Sequence, residues 1–146
     1  MKLALALLVV AGCGKDPPAT YTPARIVPLA LPSIGLNLDA PDAAKIATAE
    51  SASVEVDWPG VKLSVRIAEA ELGAAAATAK GFARITKQES TTDGWELRYE
   101  ETYAGETQHN VTIARTIGGI GVQCKGAGNS PAAEAQLAAA CASLRK

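Results

Sequence analysis

The sequence of 146 residues contains little of the chemistry on which most active sites depend. It has one histidine and three cysteines, and phenylalanine, tryptophan and tyrosine together make up 4% of the chain. Because the cysteines form no Cys-x-x-Cys motif, the sequence does not indicate a thiol redox centre or a cysteine-rich metal site. The 14 basic and 15 acidic side chains leave a net charge of −1, without the basic excess that is typical of nucleic-acid binding.

Sequence motifs for catalysis and for phosphate binding are also missing. None of the serines lies in a Gly-x-Ser-x-Gly elbow, the turn that presents a serine nucleophile. The glycine-rich run at 118–121 is not followed by Lys-Ser or Lys-Thr at a helix start, so it is not predicted to cradle a phosphate. We therefore expect a protein that is not an enzyme and that uses no cofactor and no metal.

The remaining candidates for acid–base chemistry are His109 and three glutamates. His109 lies between two amide side chains, and we predict it at the start of a solvent-facing strand. Glu96, Glu100 and Glu101 could pair as acid and base. Because Glu96 and Glu100 alternate with apolar residues at the period of a strand, we predict instead that they form its solvated face.

The first thirteen residues resemble the signal of a bacterial lipoprotein. Met1-Lys2 is followed by an apolar run at 3–11, which has the length of a signal sequence and is too short to span a bilayer. The run ends in Val10-Ala11-Gly12-Cys13, which is similar to a lipobox. The resemblance implies cleavage before Cys13 and lipidation of Cys13 with diacylglycerol and usually a third acyl chain. An ordinary cleaved signal peptide and a buried N-terminal strand are the alternatives.

Lipidation of Cys13 would place the protein in the bacterial cell envelope. A single acyl chain anchors a protein only reversibly, whereas two or three chains hold it stably on the membrane. In the enterobacterial pattern, Asp after the lipidated cysteine retains a lipoprotein in the inner membrane, and Gly14 occupies that position here. The resemblance therefore implies the outer membrane if the organism is Gram-negative. The expected partners are the membrane, through Cys13, and an envelope protein.

The sequence divides into a signal peptide (1–12), a lipidated Cys13 with a stalk (13–33) and one folded domain (34–146). The stalk is predicted from its prolines, which fix φ and favour extended, polyproline-like backbone. They are Pro17, Pro18, Pro23, Pro28 and Pro32. The alternative for residues 26–31 is a short edge strand or an arm that lies on the domain.

The domain is predicted to have an α+β fold, with an antiparallel sheet of about five to seven strands covered by two helices. Strands are indicated by alternating apolar residues and helices by apolar residues at helical spacing. The predicted strands include 34–38, 54–58, 63–67, 85–89, 95–99, 111–113 and 120–124, with tight turns at Pro59-Gly60 and Gly118-Gly119. One helix is predicted over 69–80 and another from Ser130, the N-cap, to the C-terminus.

Cys124 and Cys141 form an even pair once Cys13 is lipidated, and an exported protein folds under oxidising conditions. Cys124 lies on the inward face of the last predicted strand, and Cys141 lies on the apolar stripe of the last helix. Both positions face the same layer, so we predict a structural disulfide. Two free buried thiols, or a metal or redox site, are the alternatives.

The order of elements and two short motifs resemble small exported proteins of the PsbP-like α/β/α sandwich type. The motifs are Gly35-Leu36-Asn37-Leu38-Asp39-Ala40-Pro41 and the ending Val122-Gln123-Cys124 … Cys141-Ala142-Ser143-Leu144-Arg145. The resemblance covers about residues 34–146 and implies a binding or assembly role, with no site residue to carry over. We therefore expect a non-enzymatic binding domain. The alternative is a small-molecule or lipid carrier, with a cavity between sheet and helices where the many alanines leave room.

Overall fold

The structure is a computed structural model that describes residues 21–23 and 25–146. The lipobox, Cys13 and the first part of the predicted stalk lie outside the described residues. Nine strands and two helices follow one another along the described chain: β1 (Ile26–Leu31), β2 (Leu36–Pro41), β3 (Lys45–Ala49), β4 (Ser53–Trp58), β5 (Val61–Ile67), α1 (Leu72–Lys80), β6 (Arg84–Thr91), β7 (Gly94–Tyr103), β8 (Glu106–Ile117), β9 (Ile120–Gly128) and α2 (Pro131–Ala142).

Seven of the strands form the main sheet, in the order β3-β4-β5-β9-β8-β7-β6, and every neighbouring pair is antiparallel. The hairpin between β8 and β9 turns at Gly118 and Gly119, which have φ of 57° and 78°. Positive φ at both central residues matches the twist of the flanking strands and favours glycine. The two glycines therefore set the register that pairs β8 with β9.

The two helices lie on opposite faces of the main sheet. Helix α2 and the two-stranded sheet formed by β1 and β2 cover one face, where they enclose the larger core. Helix α1 packs on β6 and β7 of the other face, through Ala76 and Ala79 against Trp95, Leu97 and Tyr99. The structure agrees with the predicted α+β class and antiparallel sheet. It differs in how the sheet is covered. Helix α1 covers only one end of its face, and β1 and β2 form a separate small sheet that covers part of the other face.

The boundary predicted between stalk and domain at residue 33 is wrong for β1. Residues Ile26–Leu31 pair with β2 along its whole length, and Leu31 is completely buried in the core. Pro28 is tolerated because β1 is an edge strand, whose free side needs no ladder hydrogen bond. The short edge strand considered as the alternative is therefore the observed structure, and the folded domain includes β1.

The C-terminus fastens the two-stranded sheet to α2. The backbone of Arg145 exchanges two hydrogen bonds with Asn37 of β2, at N···O distances of 2.8 and 3.0 Å. Next to this bridge, the Asp39 backbone N–H donates to Ser143 Oγ at 2.7 Å, and Arg145 Nη2 lies 2.7 Å from Asp39 Oδ1. Strand β2 and the end of α2 are thus held side by side.

Both outer strands of the main sheet are irregular. The register of β3 against β4 shifts between Ile46 and Thr48, and that of β6 against β7 shifts between Ile85 and Lys87. All five residues of β3 are exposed. The sequence of β3 did not predict a strand, because an exposed edge needs no apolar alternation.

Candidate functional site

Helix α2 is fixed to the main sheet by the disulfide between Cys124 of β9 and Cys141. The two Cα atoms are 5.6 Å apart, and both cysteines are completely buried. The structure therefore contains the bond that the sequence predicted, and the bond joins the main sheet to the helix that covers it. At the other end of α2, Ser130 is the N-cap, and its Oγ accepts a hydrogen bond from the Ala133 N–H at 3.1 Å.

Ionisable side chains form a continuous row beneath the first turn of α2. This polar row comes from β6, β7, β8 and α2 and consists of Arg84, Lys87, Glu96, Arg98, Glu100, His109 and Glu134. Its members alternate along β7 with the residues that pack on α1, so they lie on the face that α2 covers. The row is the largest group of interacting ionisable side chains among the described residues.

His109 lies at the centre of the polar row and is 8% exposed. Its Nδ1 is 3.3 Å from Glu134 Oε2 and 3.5 Å from Glu100 Oε1. In this arrangement Nδ1 is buried without a hydrogen-bond partner among the described residues. Each carboxylate also has a basic partner, since Arg98 Nη1 donates to Glu134 at 3.2 Å and Arg84 pairs with Glu100. Both carboxylates that face the imidazole are therefore already engaged by arginine.

The hydrogen bonds of the row favour the charged forms of Lys87, Glu96 and Arg98. Burial alone would raise the pKa of Glu96, but hydrogen bonds from Lys87 and Arg98 outweigh burial and hold this pKa below its ordinary value. Burial alone would lower the pKa of Arg98, and its bonds to Glu96 and Glu134 hold it above its ordinary value. Hydrogen bonds to Glu96 and then to Glu89 raise the pKa of Lys87. A network in which each charge has an opposite partner suits structural support.

Two predictions made from the sequence for these residues are wrong. His109 was expected on a solvent-facing strand, and Glu96 on a solvated face, but the Glu96 side chain is only 12% exposed. The strand period correctly separates Glu96 and Glu100 from the apolar residues of β7. It does not reveal that α2, which begins at residue 131, brings Glu134 to Arg98 and His109 on the polar face. Glu134, which closes the row, lies in the first turn of α2, where its carboxylate also complements the helix dipole.

The described residues include no group of three or more His, Cys, Asp or Glu side chains arranged to hold a metal ion. Neither described helix has the length and apolar character that crossing a membrane requires.

A groove of about 500 Å³ lies between the outer side of α2 and the two-stranded sheet. This α2 groove is within the range of roughly 300–1,000 Å³ that is usual for small-molecule sites. Most of its lining is apolar, and alanines on α2 leave the space that larger side chains would fill. The lining residues are Ile26, Asp39, Pro41, Ala135, Gln136, Ala139, Ala140 and Ser143. A smaller depression of about 290 Å³ lies at the turn between β4 and β5.

Gln136 closes one end of the α2 groove by holding two other parts of the chain. Its Oε1 accepts a hydrogen bond from Trp58 Nε1 at 3.1 Å, and its Nε2 donates to the Tyr21 carbonyl at 3.0 Å. The other end is closed by Ser143 and Asp39, where the C-terminus meets β2. The sequence signal for the groove was only the alanine content of α2, which also fits a closely packed helix.

Comparison with known proteins finds no matching protein-family model and no matching curated protein. A protein from Bacteroides thetaiotaomicron VPI-5482 is similar over 75% of this chain and 44% of its own, with 10% identity and a TM-score of 0.45. The chain thus spans less than half of that protein. LpqN of Mycobacterium tuberculosis, described as involved in cell envelope biogenesis, is similar over 75% of this chain and 79% of its own, with 12% identity and a TM-score of 0.41. At these TM-scores neither likeness carries an argument, and the PsbP-like resemblance stays a prediction.

Proposed function

We propose that this protein is a lipid-anchored lipoprotein of the bacterial cell envelope whose domain binds a partner and is not an enzyme. The observation that carries the proposal is Val10-Ala11-Gly12-Cys13 at the end of a short apolar run. The disulfide between Cys124 and Cys141 supports export, because such bonds persist in oxidising compartments and are rare in the cytosol.

The state of the ionisable groups supports a binding role. Glu96, Glu100 and Glu134 are each engaged by a lysine or an arginine, and the pKa of Glu96 is lowered. A general acid at neutral pH needs a raised carboxyl pKa, and enzymes obtain it by burial without such partners. The sequence also lacks the motifs of nucleophilic catalysis. If the purified protein turned over members of a hydrolase substrate panel, and if His109→Ala or Glu96→Gln abolished the turnover, the non-enzymatic proposal would be wrong.

The intact mass of the protein isolated from membranes tests the anchor. For the wild type we expect the mass of residues 13–146 plus two or three acyl chains, increased by two hydrogens after reduction. The Cys13→Ala variant should lose the acyl mass. The matched control, Cys124→Ala with Cys141→Ala, should keep the acyl mass and lose the response to reductant. An unacylated wild-type protein in the soluble fraction would contradict the anchor.

A further inference from the structure

We propose that the α2 groove binds one acyl chain of a membrane lipid. The proposal rests on the proposed function, because the anchor at Cys13 is what brings the groove to a bilayer. It gives the binding domain a ligand class, a hydrocarbon chain, and a site, the surface between α2 and the two-stranded sheet.

The polar side chains that line the groove already have partners within the protein. Asp39 pairs with Arg145, and both ends of the Gln136 amide are engaged, by Trp58 and Tyr21. The hydroxyl of Ser143 accepts a hydrogen bond from the Asp39 N–H and donates one to the Ala140 carbonyl. The remaining surface is apolar, so it fits a ligand that makes no hydrogen bonds, as a hydrocarbon chain does.

The apolar surface of the groove is open and its walls are held in place. Ile26 projects into it from β1 and is 58% exposed, so more than half of its surface is left open by the described residues. Ala135 and Ala139, on the opposite wall, are exposed as well. The disulfide at Cys141 fixes one wall to the main sheet, and the bridge between Asn37 and Arg145 fixes the other to the C-terminus. Because the walls of the groove are already ordered, little conformational entropy of the protein is lost when a ligand binds.

The position of the groove relative to Cys13 favours a membrane lipid as the occupant. Gln136 lines the groove and holds the Tyr21 carbonyl, so the chain passes one end of the groove at Tyr21. Eight residues, 13–20, precede Tyr21. At no more than about 3.6 Å per residue, the groove lies within roughly 30 Å of the lipidated cysteine. The anchor therefore keeps the groove close to a surface made of acyl chains.

Photocrosslinking in vesicles tests the proposal. The full-length, acylated protein is reconstituted into phosphatidylcholine vesicles in which a small fraction of the lipid carries a diazirine in the middle of one acyl chain. After illumination, peptide mass spectrometry locates the crosslinks, which we expect in residues 26–41 and 131–143. Ala139→Trp places an indole in the groove and should reduce these crosslinks several-fold, and Ala135→Trp provides a second variant of the same kind. Ala132→Trp is the matched control, because Ala132 is an exposed residue of the same helix and does not line the groove.

Each outcome separates the groove from the anchor. Equal crosslinking of wild type, Ala139→Trp and Ala135→Trp, with both variants folded by circular dichroism, would overturn the groove proposal and leave the anchor standing. Crosslinks confined to other parts of the chain would overturn it too. If the intact mass shows no acyl chains but the unacylated protein still crosslinks in the groove when vesicles are added, the anchor is wrong and the groove proposal holds.

Discussion

The disulfide between β9 and α2 should contribute a defined part of the stability of this protein. Cys124 and Cys141 are separated by 17 positions, and closing a loop of that size removes entropy from the unfolded chain worth about 3 kcal/mol. For a domain of this length, such a loss corresponds to a fall in Tm of roughly 10 °C. Reduction leaves both sulfur atoms in the core, so oxidised and reduced wild type differ only in the crosslink.

Urea unfolding with and without reductant measures this contribution. We expect a free energy of unfolding about 3 kcal/mol lower for the reduced protein. Its dependence on urea should also be slightly steeper, because an uncrosslinked unfolded chain exposes more surface. The variant with Cys124→Ala and Cys141→Ala is the control, and reductant should not affect it. A difference of less than about 1 kcal/mol between oxidised and reduced wild type would refute the reasoning from loop closure.

Three further predictions concern single positions. In Gly126→Ala the new methyl group would press on the Lys62 carbonyl oxygen and on α2, so we expect a loss of about 1–3 kcal/mol in thermal unfolding. Gly73→Ala, whose methyl group meets no atom within 4 Å, is its control and should gain about 1 kcal/mol; a loss as large as that of the first variant would contradict this. Burial raises the pKa of Glu96, but the hydrogen bonds from its two basic partners lower this pKa by more than burial raises it. The ionised form of Glu96 therefore stabilises the fold above the ordinary pKa of 4.5. This contribution is lost as the pH falls through the lower pKa of the folded protein. Glu96→Gln should therefore lose less stability than the wild type between pH 5 and acid unfolding, and parallel pH curves would contradict the ion pairs. Ser130→Ala removes the N-cap of α2 and should cost about 1 kcal/mol in urea unfolding, whereas an unchanged midpoint would mean that the cap is not needed.

The parts of the fold that could be predicted are those in which one strand face is apolar and the turns need glycine. Val54, Val56 and Trp58 alternate with acidic residues, and all three are buried in β4. Gly118 and Gly119 have the positive φ that a two-residue hairpin requires. These signals are local, so the sequence alone contains them.

The parts that could not be predicted depend on residues far away in the sequence. Pro28 favoured a stalk, and only the pairing with β2 shows that its segment is an edge strand. The surroundings of His109 and Arg98 depend on Glu134 of α2, which the strand period cannot reveal. The α2 groove likewise depends on Ile26 lying opposite α2, more than a hundred residues away in the chain.

The irregular outer strands β3 and β6 affect how copies of this protein can meet when they are crowded together. A straight outer strand offers its unpaired N–H and C=O groups to any neighbouring chain, and the proposed membrane anchor would bring copies of this protein together in the same orientation. Here the ladder is interrupted at both outer strands, and the charges of Lys45 on one edge and of Lys87 and Glu89 on the other oppose a flush approach. We therefore expect that the outer strands do not pair with those of a neighbouring molecule, and that densely packed copies of the domain stay separate.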